Sequence, residues 1–209
     1  MKSDVWLGSL NNRLRQKFEF LLEIDRLKTV IRGNQIADAT RKENTAEHSW
    51  HLALFASTLA EYAIGPINID RVVQMLLIHD IVEIDAGDTP LFDDTTAEKQ
   101  ADIEQQAAGR IFGLLPKDQA MMLRSLWEEF EAAETSDARF GKAVDRLQPI
   151  LLNHVVGGGT WVDYSVDETR ERHMTQRIEE GSPALWEAAE HVFADAVASG
   201  WLLPAPASS

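Results

Sequence analysis

Met75-Leu76-Leu77-Ile78-His79-Asp80-Ile81-Val82-Glu83-Ile84-Asp85-Ala86-Gly87-Asp88-Thr89-Pro90 reads as an apolar helix that turns polar at one point and then stops. The apolar run reaches back to Val72, and Gly87 and Pro90 are helix-stopping residues. A helix that is apolar nearly all round is a buried one. Positions i, i+3 and i+4 share a helix face, so Glu83 is expected on the same side as His79 and Asp80. An imidazole and two carboxylates at the inner end of a buried helix are costly unless something pairs with them. A divalent cation suits them. Taken alone, the His-Asp pair is a weak signal and reads more readily as solvated polar residues where a helix surfaces. Glu83, the Gly87-Asp88 exit and a histidine-bearing helix upstream favour ligation.

That upstream helix opens on Asn44-Thr45-Ala46-Glu47, a capping box, and runs from Thr45 to about Ile64. Leu52, Phe55, Ala56, Leu59 and Ala63 form its apolar stripe; His48 sits in the first turn and His51 one turn later. Gly65-Pro66 breaks it, and Asn68 or Asp70 can cap the central helix, Ile69 to Ile84. Further upstream, Leu10 to Ile31 reads as a helix ended by Gly33-Asn34, followed by a polar loop from Gln35 to Glu43.

Downstream, Asp88 to Asp94 reads as a turn, and Thr95-Thr96-Ala97-Glu98 as a second capping box opening a helix to Phe112. Pro116 occupies a favoured first helical position before Leu123, Leu126, Trp127 and Phe130. The other face of that helix, Glu128, Glu129, Glu131 and Glu134, reads as solvated. Asp137 to Val156 carries a clear inner face, Phe140, Val144, Leu147, Ile150 and Leu151, with Asp145 at its edge. Gly157-Gly158-Gly159 lacks the Lys-Ser/Thr of a phosphate loop. A short helix over Thr169–Glu179 and a last one begun by Ser182-Pro183 follow. No strand, repeat or linker stands out. The expectation is an all-α, single-domain helical bundle over residues 1–202, with a loose tail at 203–209.

The 209 residues can bury a sizeable core. There is no cysteine, so disulfides and thiolate metal sites are excluded and any metal must take His, carboxylate and water. No signal-peptide pattern and no apolar run of membrane-spanning length is evident, so the expected location is cytoplasmic and away from membranes. A net charge of −14 disfavours nucleic acid as a partner. Yet Arg26, Lys28, Arg32, Arg41 and Lys42 face only Asp38 in their own stretch, a strip able to receive a small anion or simply a solvated loop.

Four candidate ligands emerge from three helices: His48, His79, Asp80 and Asp145. With water they suit one divalent ion such as Mn, Co, Ni, Fe, Zn or Mg. A site without thiolate and with open positions fits catalysis better than structure. Such an ion acidifies water and polarises a phosphoryl oxygen, and Glu83 or Asp88 could manage the proton.

The order His48, His79-Asp80, distant Asp145 resembles the HD-domain metal-dependent phosphohydrolases. The resemblance is closer still to the HD-domain 5′-deoxynucleotidases. It includes Arg26, Asn44-Thr-Ala-Glu-His48, His79-Asp80-x-x-Glu83-x-x-x-Gly87-Asp88-x-Pro90, Leu126-Trp-Glu-Glu-Phe130 and Lys142-Ala-Val-Asp145, and covers about Phe18 to Leu152. It implies a helical fold, one divalent ion on His48, His79, Asp80 and Asp145, and a water activated or positioned by Glu83. It implies that Arg26 and Asp88 help bind a deoxyribonucleoside 5′-monophosphate, and that the protein is a homodimer. One departure is Leu27, where some members carry an aromatic residue after the arginine; sugar and base selectivity stay open there. The absence of histidine from Ile81 to Val144 favours a mononuclear hydrolase over dinuclear relatives, the oxygenases included.

Among the other histidines, His51 reads as an orienting neighbour of a ligand or as a satisfied helix residue, and His154, His173 and His191 as non-ligands. Trp50 and Trp161 read as packing residues. Two alternatives remain. One is a related phosphohydrolase acting on a nucleoside triphosphate, an alarmone or a cyclic nucleotide. The other is a non-catalytic helical binding module that keeps its metal for stability.

Overall fold

The computed structural model describes residues 6–88 and 97–206. After a 3₁₀ turn at Leu7–Ser9, helix α1 (Asn12–Ile24) is capped by the Asn11 side chain and tightens into a second 3₁₀ turn at Asp25–Thr29. Here the expected helix to Ile31 fails. The chain instead forms strand β1 (Ile31–Gln35), paired antiparallel with β2 (Lys42–Asn44). The segment expected to be a helix end and a loop is therefore a hairpin. The strand, irregular in its pairing between Ile31 and Gln35, brings Arg32, Gly33 and Asn34 to one cavity wall.

Asn44 ends β2 and caps α2 (Thr45–Leu59) through a full capping box with Glu47. α3 (Ile69–Ile78) is capped by Asn68 and ends sooner than expected. His79 is its C-cap, residues 79–82 form a turn, and α4 (Glu83–Ala86) closes at Gly87 with φ 77°. The turn lets an imidazole and a carboxylate leave a buried helix together. α5 (Ala97–Phe112), α6 (Lys117–Ala132) and α7 (Ser136–Val155) follow, the last capped by Thr135. The expected second capping box, and the turn from Thr89 to Asp94, lie outside the described residues. Pro116 precedes α6 as its N-cap rather than opening it.

After Gly157–Gly159, all with positive φ, come α8 (Thr160–Asp163), α9 (Glu168–Thr175), α10 (Arg177–Gly181) and α11 (Pro183–Ala198). The tail is less loose than expected at its start. Leu202 is buried, and Leu203 exchanges backbone bonds with Val166 and Glu168. No helix among the described residues is long and apolar enough to cross a membrane.

The axis of the core is α7, packed against α2, α3, α6, α10 and α11. Phe140, Ala143, Val144, Leu147 and Ile150 are all buried on it, joined by Leu52, Met75, Leu76 and Phe130. A second cluster, Phe20, Leu27, Ile81, Val82, Ile111, Phe112 and Trp127, ties α1 and α5 to the turn after α3. Each such side chain contributes about 1.5–3 kcal/mol when fully buried. α10 comes close to α7 at Gly181. An added Cβ there would run into the Arg139 carbonyl oxygen and come within 2.8 Å of the Ala143 Cβ. Gly181→Ala is thus expected to destabilise the protein by about 1–3 kcal/mol through overpacking, seen as a lower melting temperature in a calorimetric scan.

Candidate metal centre

α2, the end of α3 and the middle of α7 meet at one point. Ligating atoms of His48, His79 and Asp145 all lie within 4.8 Å of one another. His48 Nε2 is 3.2 Å and His79 Nε2 3.6 Å from Asp145 Oδ1. Asp80 Oδ2 stands 3.0 Å from His79 Nε2 and 3.9 Å from His48 Nε2. The structure thus brings all four residues singled out in the sequence to one place.

The tautomers decide what the place is for. His79 Nδ1 donates to the Leu76 carbonyl at 2.8 Å, and His48 Nδ1 donates to Gln148 Oε1 at 3.2 Å. In a neutral imidazole the other nitrogen then carries a lone pair. Both Nε2 atoms face carboxylates, so lone pairs meet anions at the bottom of a buried site. His79 Nε2 is also buried without a hydrogen-bond partner. Only a cation, or a proton, relieves this. Burial alone would lower the His79 pKa, yet Asp80 and Asp145 overcome it and raise it to about 10. Burial likewise opposes ionisation of Asp145, but the two imidazoles beside it hold it well below the ordinary carboxylate range. The donor set fits a divalent ion held by nitrogen and oxygen.

The surroundings fix these groups. Trp127 Nε1 donates to the His79 carbonyl at 3.0 Å, and the Phe130 ring meets the His79 ring edge-on at 5.0 Å. This is what the Leu126–Phe130 motif does. Gln148, three residues after Asp145, shares its helix face. It donates from Nε2 to Glu43 Oε1 at 2.9 Å and to His51 Nδ1 at 3.2 Å while accepting from His48. Gln148→Leu removes that acceptor. Metal affinity is expected to fall by about 10–100-fold, measured by competition with a fluorescent chelator.

The centre forms one end of a cavity of about 220 Å³. Its walls include Arg32, Glu83, Asp88, Glu104, Glu131, Lys142 and Glu171. Glu83 accepts from Thr45 Oγ1 at 2.9 Å, and burial with the nearby Asp80 charge pushes its pKa up to about 9. Asp88 also lines the cavity, its pKa raised by burial. Arg32 reaches in from β1, its Nη1 3.2 Å from Asp80 and 3.7 Å from Asp88. Burial opposes its charge, but Asp80, Asp88 and Glu83 raise its pKa above the usual value.

Arg26 is not there. It bonds Glu23 at 2.6 Å, is more than half exposed, and does not line the cavity. The arginine expected at the substrate therefore lies outside the cavity wall, and the basic side chains that line it are Arg32, Lys142 and Arg146. The 3₁₀ turn and β1 carry Arg32 inward and leave Arg26 outside. Leu27 packs into the second core cluster. Glu131, expected to be solvated, pairs with the buried Lys142 at 3.0 Å. Glu43, Gln148 and Glu171 escape the sequence reading altogether. Of these only Gln148 carries a signal, its i+3 spacing from Asp145.

His51 touches Gln148, while His154 pairs with Asp195 at 2.6 Å. His173 and His191 are exposed, Trp50 is largely exposed and Trp161 fully buried.

A family model described as HD domain matches residues 24–186. A human protein named 5′-deoxynucleotidase HDDC2 is 31% identical over 138 residues, the match spanning 66% of this chain and 66% of that protein. Just under two thirds of the relative's length is therefore involved. A Pasteurella multocida protein named 5′-deoxynucleotidase PM0747 is 34% identical over 107 residues, 47% of this chain and 54% of its own. Among solved structures, a "predicted metal-dependent phosphohydrolase" from Magnetospirillum magnetotacticum MS-1 superposes with a TM-score of 0.89 at 49% identity, covering 92% of this chain and 97% of that one.

Proposed function

The chain belongs to the HD-domain family, and from that premise we propose that it is a divalent-metal-dependent phosphomonoesterase that hydrolyses deoxyribonucleoside 5′-monophosphates to deoxynucleoside and phosphate. The observation that carries the reading is the pair of imidazole Nε2 atoms aimed at the Asp80 and Asp145 carboxylates at one end of a cavity that also holds Arg32. Relatives named as 5′-deoxynucleotidases and a neighbour named as a metal-dependent phosphohydrolase support it.

His48, His79, Asp80 and Asp145 would hold the ion. When bound, it supplies Lewis-acid polarisation of a phosphoryl oxygen and eases the ionisation of water. Arg32 offers a planar fork to the non-bridging phosphate oxygens, and its partial neutralisation by Asp80 and Asp88 pre-aims it. Glu83, fixed by Thr45, orients the attacking water; the charge of a bound cation would favour its carboxylate form, which can take the water's proton, and Asp88 is the second carboxyl within the same walls. Water adds to phosphorus, the P–O5′ bond breaks, and the departing O5′ takes a proton to become the deoxynucleoside hydroxyl.

The test is a panel of deoxynucleoside and ribonucleoside monophosphates and triphosphates. Chelator-stripped protein is assayed with and without Mn, Co, Ni, Fe, Zn or Mg. Phosphate release from the deoxynucleoside monophosphates, dependent on added metal, is the expected result. Pyrophosphate or triphosphate release alone would move the protein to the triphosphate-directed reading. A fall in melting temperature on chelation with no turnover of any nucleotide would make it a metal-stabilised binding module.

A further inference from the structure

The same cavity is also walled by Glu171 of α9. The residue is 3% exposed, and its Oε2 is buried without a hydrogen-bond partner. The indole N–H of the buried Trp161 lies near enough to favour the ionised carboxylate, yet it closes no hydrogen bond and is itself unpartnered. Burial dominates and pushes the Glu171 carboxyl up to about 7. A buried acceptor left unpaired costs about 1–3 kcal/mol, more when charged, so its retention in a cavity wall asks for a ligand that donates to it.

Arg146 lines the same cavity, its charge favours the ionised carboxylate, and its Nε is likewise buried without a hydrogen-bond partner, whereas the asparagines of the wall are paired. Asn34 donates to Asn153 at 2.8 Å, and Asn153 donates to Thr160 at 2.8 Å, so that network is closed on itself. Like charges disfavour seating the phosphate against Glu171. Val82, Pro149 and Ile150 add apolar lining suited to a flat ring. A sugar hydroxyl can turn its proton elsewhere, whereas an amino group on a base is fixed in the ring plane and needs a fixed acceptor.

We propose that Glu171 reads the nucleobase, its free carboxylate oxygen accepting from an exocyclic amino group, so that cytosine and adenine nucleotides are preferred to uracil and hypoxanthine ones. This rests on the nucleotidase reading above. In each pair the amino group is replaced by a carbonyl, which sets lone pairs against the carboxylate and leaves it unpaired.

The test compares dCMP with dUMP and dAMP with dIMP, using the metal-loaded wild type and Glu171→Gln. The wild type is expected to favour the amino base in kcat/KM by about tenfold or more. In Glu171→Gln, whose side-chain amide can donate to a carbonyl, the preference should collapse to within about threefold, with turnover of dUMP retained. Product inhibition of the wild type alone supplies a second measure: deoxycytidine should bind about tenfold tighter than deoxyuridine. Turnover of all four nucleotides by the wild type without preference would overturn the assignment, as would an equal loss on all four in the variant, the mark of a sugar contact or a structural role. Absence of turnover on every nucleotide would instead sink the nucleotidase reading itself.

Discussion

Asp145→Asn is expected to lower turnover by about three orders of magnitude and to strip the bound metal while leaving the helical content intact. The cause is electrostatic. Asp145 Oδ1 lies within reach of both Nε2 atoms, 3.2 Å from His48 and 3.6 Å from His79. An amide of the same shape carries no charge and can present an N–H where a cation has to sit. Several kcal/mol of transition-state charge stabilisation disappear with the metal, and each 1.36 kcal/mol is about tenfold in rate. The fold should survive because the change is isosteric and α7 is held by Phe140, Ala143, Val144, Leu147 and Ile150 on its buried face. Metal content after desalting, phosphate release and far-ultraviolet circular dichroism check the three parts. A variant that kept both its ion and its rate would end the case for this centre.

Arg32→Ala is expected to cut kcat/KM by about 10²–10³-fold, whereas Arg26→Ala should stay within about twofold. Arg32 is the cation that the pocket's acids surround. It lies 3.2 Å from Asp80, 3.7 Å from Asp88 and 3.8 Å from Glu43, with only 13% of its side chain exposed. Removing it takes away a phosphate clamp and leaves like charges facing one another, so part of the loss should appear as a lower melting temperature in the metal-free protein. Arg32→Lys should recover only a fraction, because a point charge does not reproduce the planar fork. Arg26 is paired with Glu23 on the surface, where an ion pair contributes little. Steady-state phosphate release for the three variants decides between the two arginines. If Arg26→Ala proved the more damaging, Arg32 would lose its role as the phosphate clamp.

The confusion of the two arginines has an identifiable cause. Both lie in one basic strip, and the apolar spacing of α1 invites the helix to be extended through Ile31. What separates them is the change of period. A tight 3₁₀ turn followed by the irregular strand β1 changes which residues face in. The five-residue and three-residue strands are too short to announce themselves, and they are held by pairing with each other rather than by an apolar run.

Glu171 and Glu43 are harder cases. Each is a lone acid in a polar stretch, and nothing in the neighbouring residues says that it is buried. Their burial comes from other elements closing over them.

The sequence by itself determined the helical class and the caps at Asn44 and Ser182, and it singled out His48, His79, Asp80 and Asp145 as candidate ligands. Those features are local, or written as a spaced pattern of residue types whose burial would be too costly without a partner. Only the tertiary structure decided that α3 ends at His79, that Arg32 rather than Arg26 enters the cavity, and that Glu43, Gln148 and Glu171 surround it. Which charges share a low-dielectric space depends on how distant segments pack, and short-range periodicity carries no record of that.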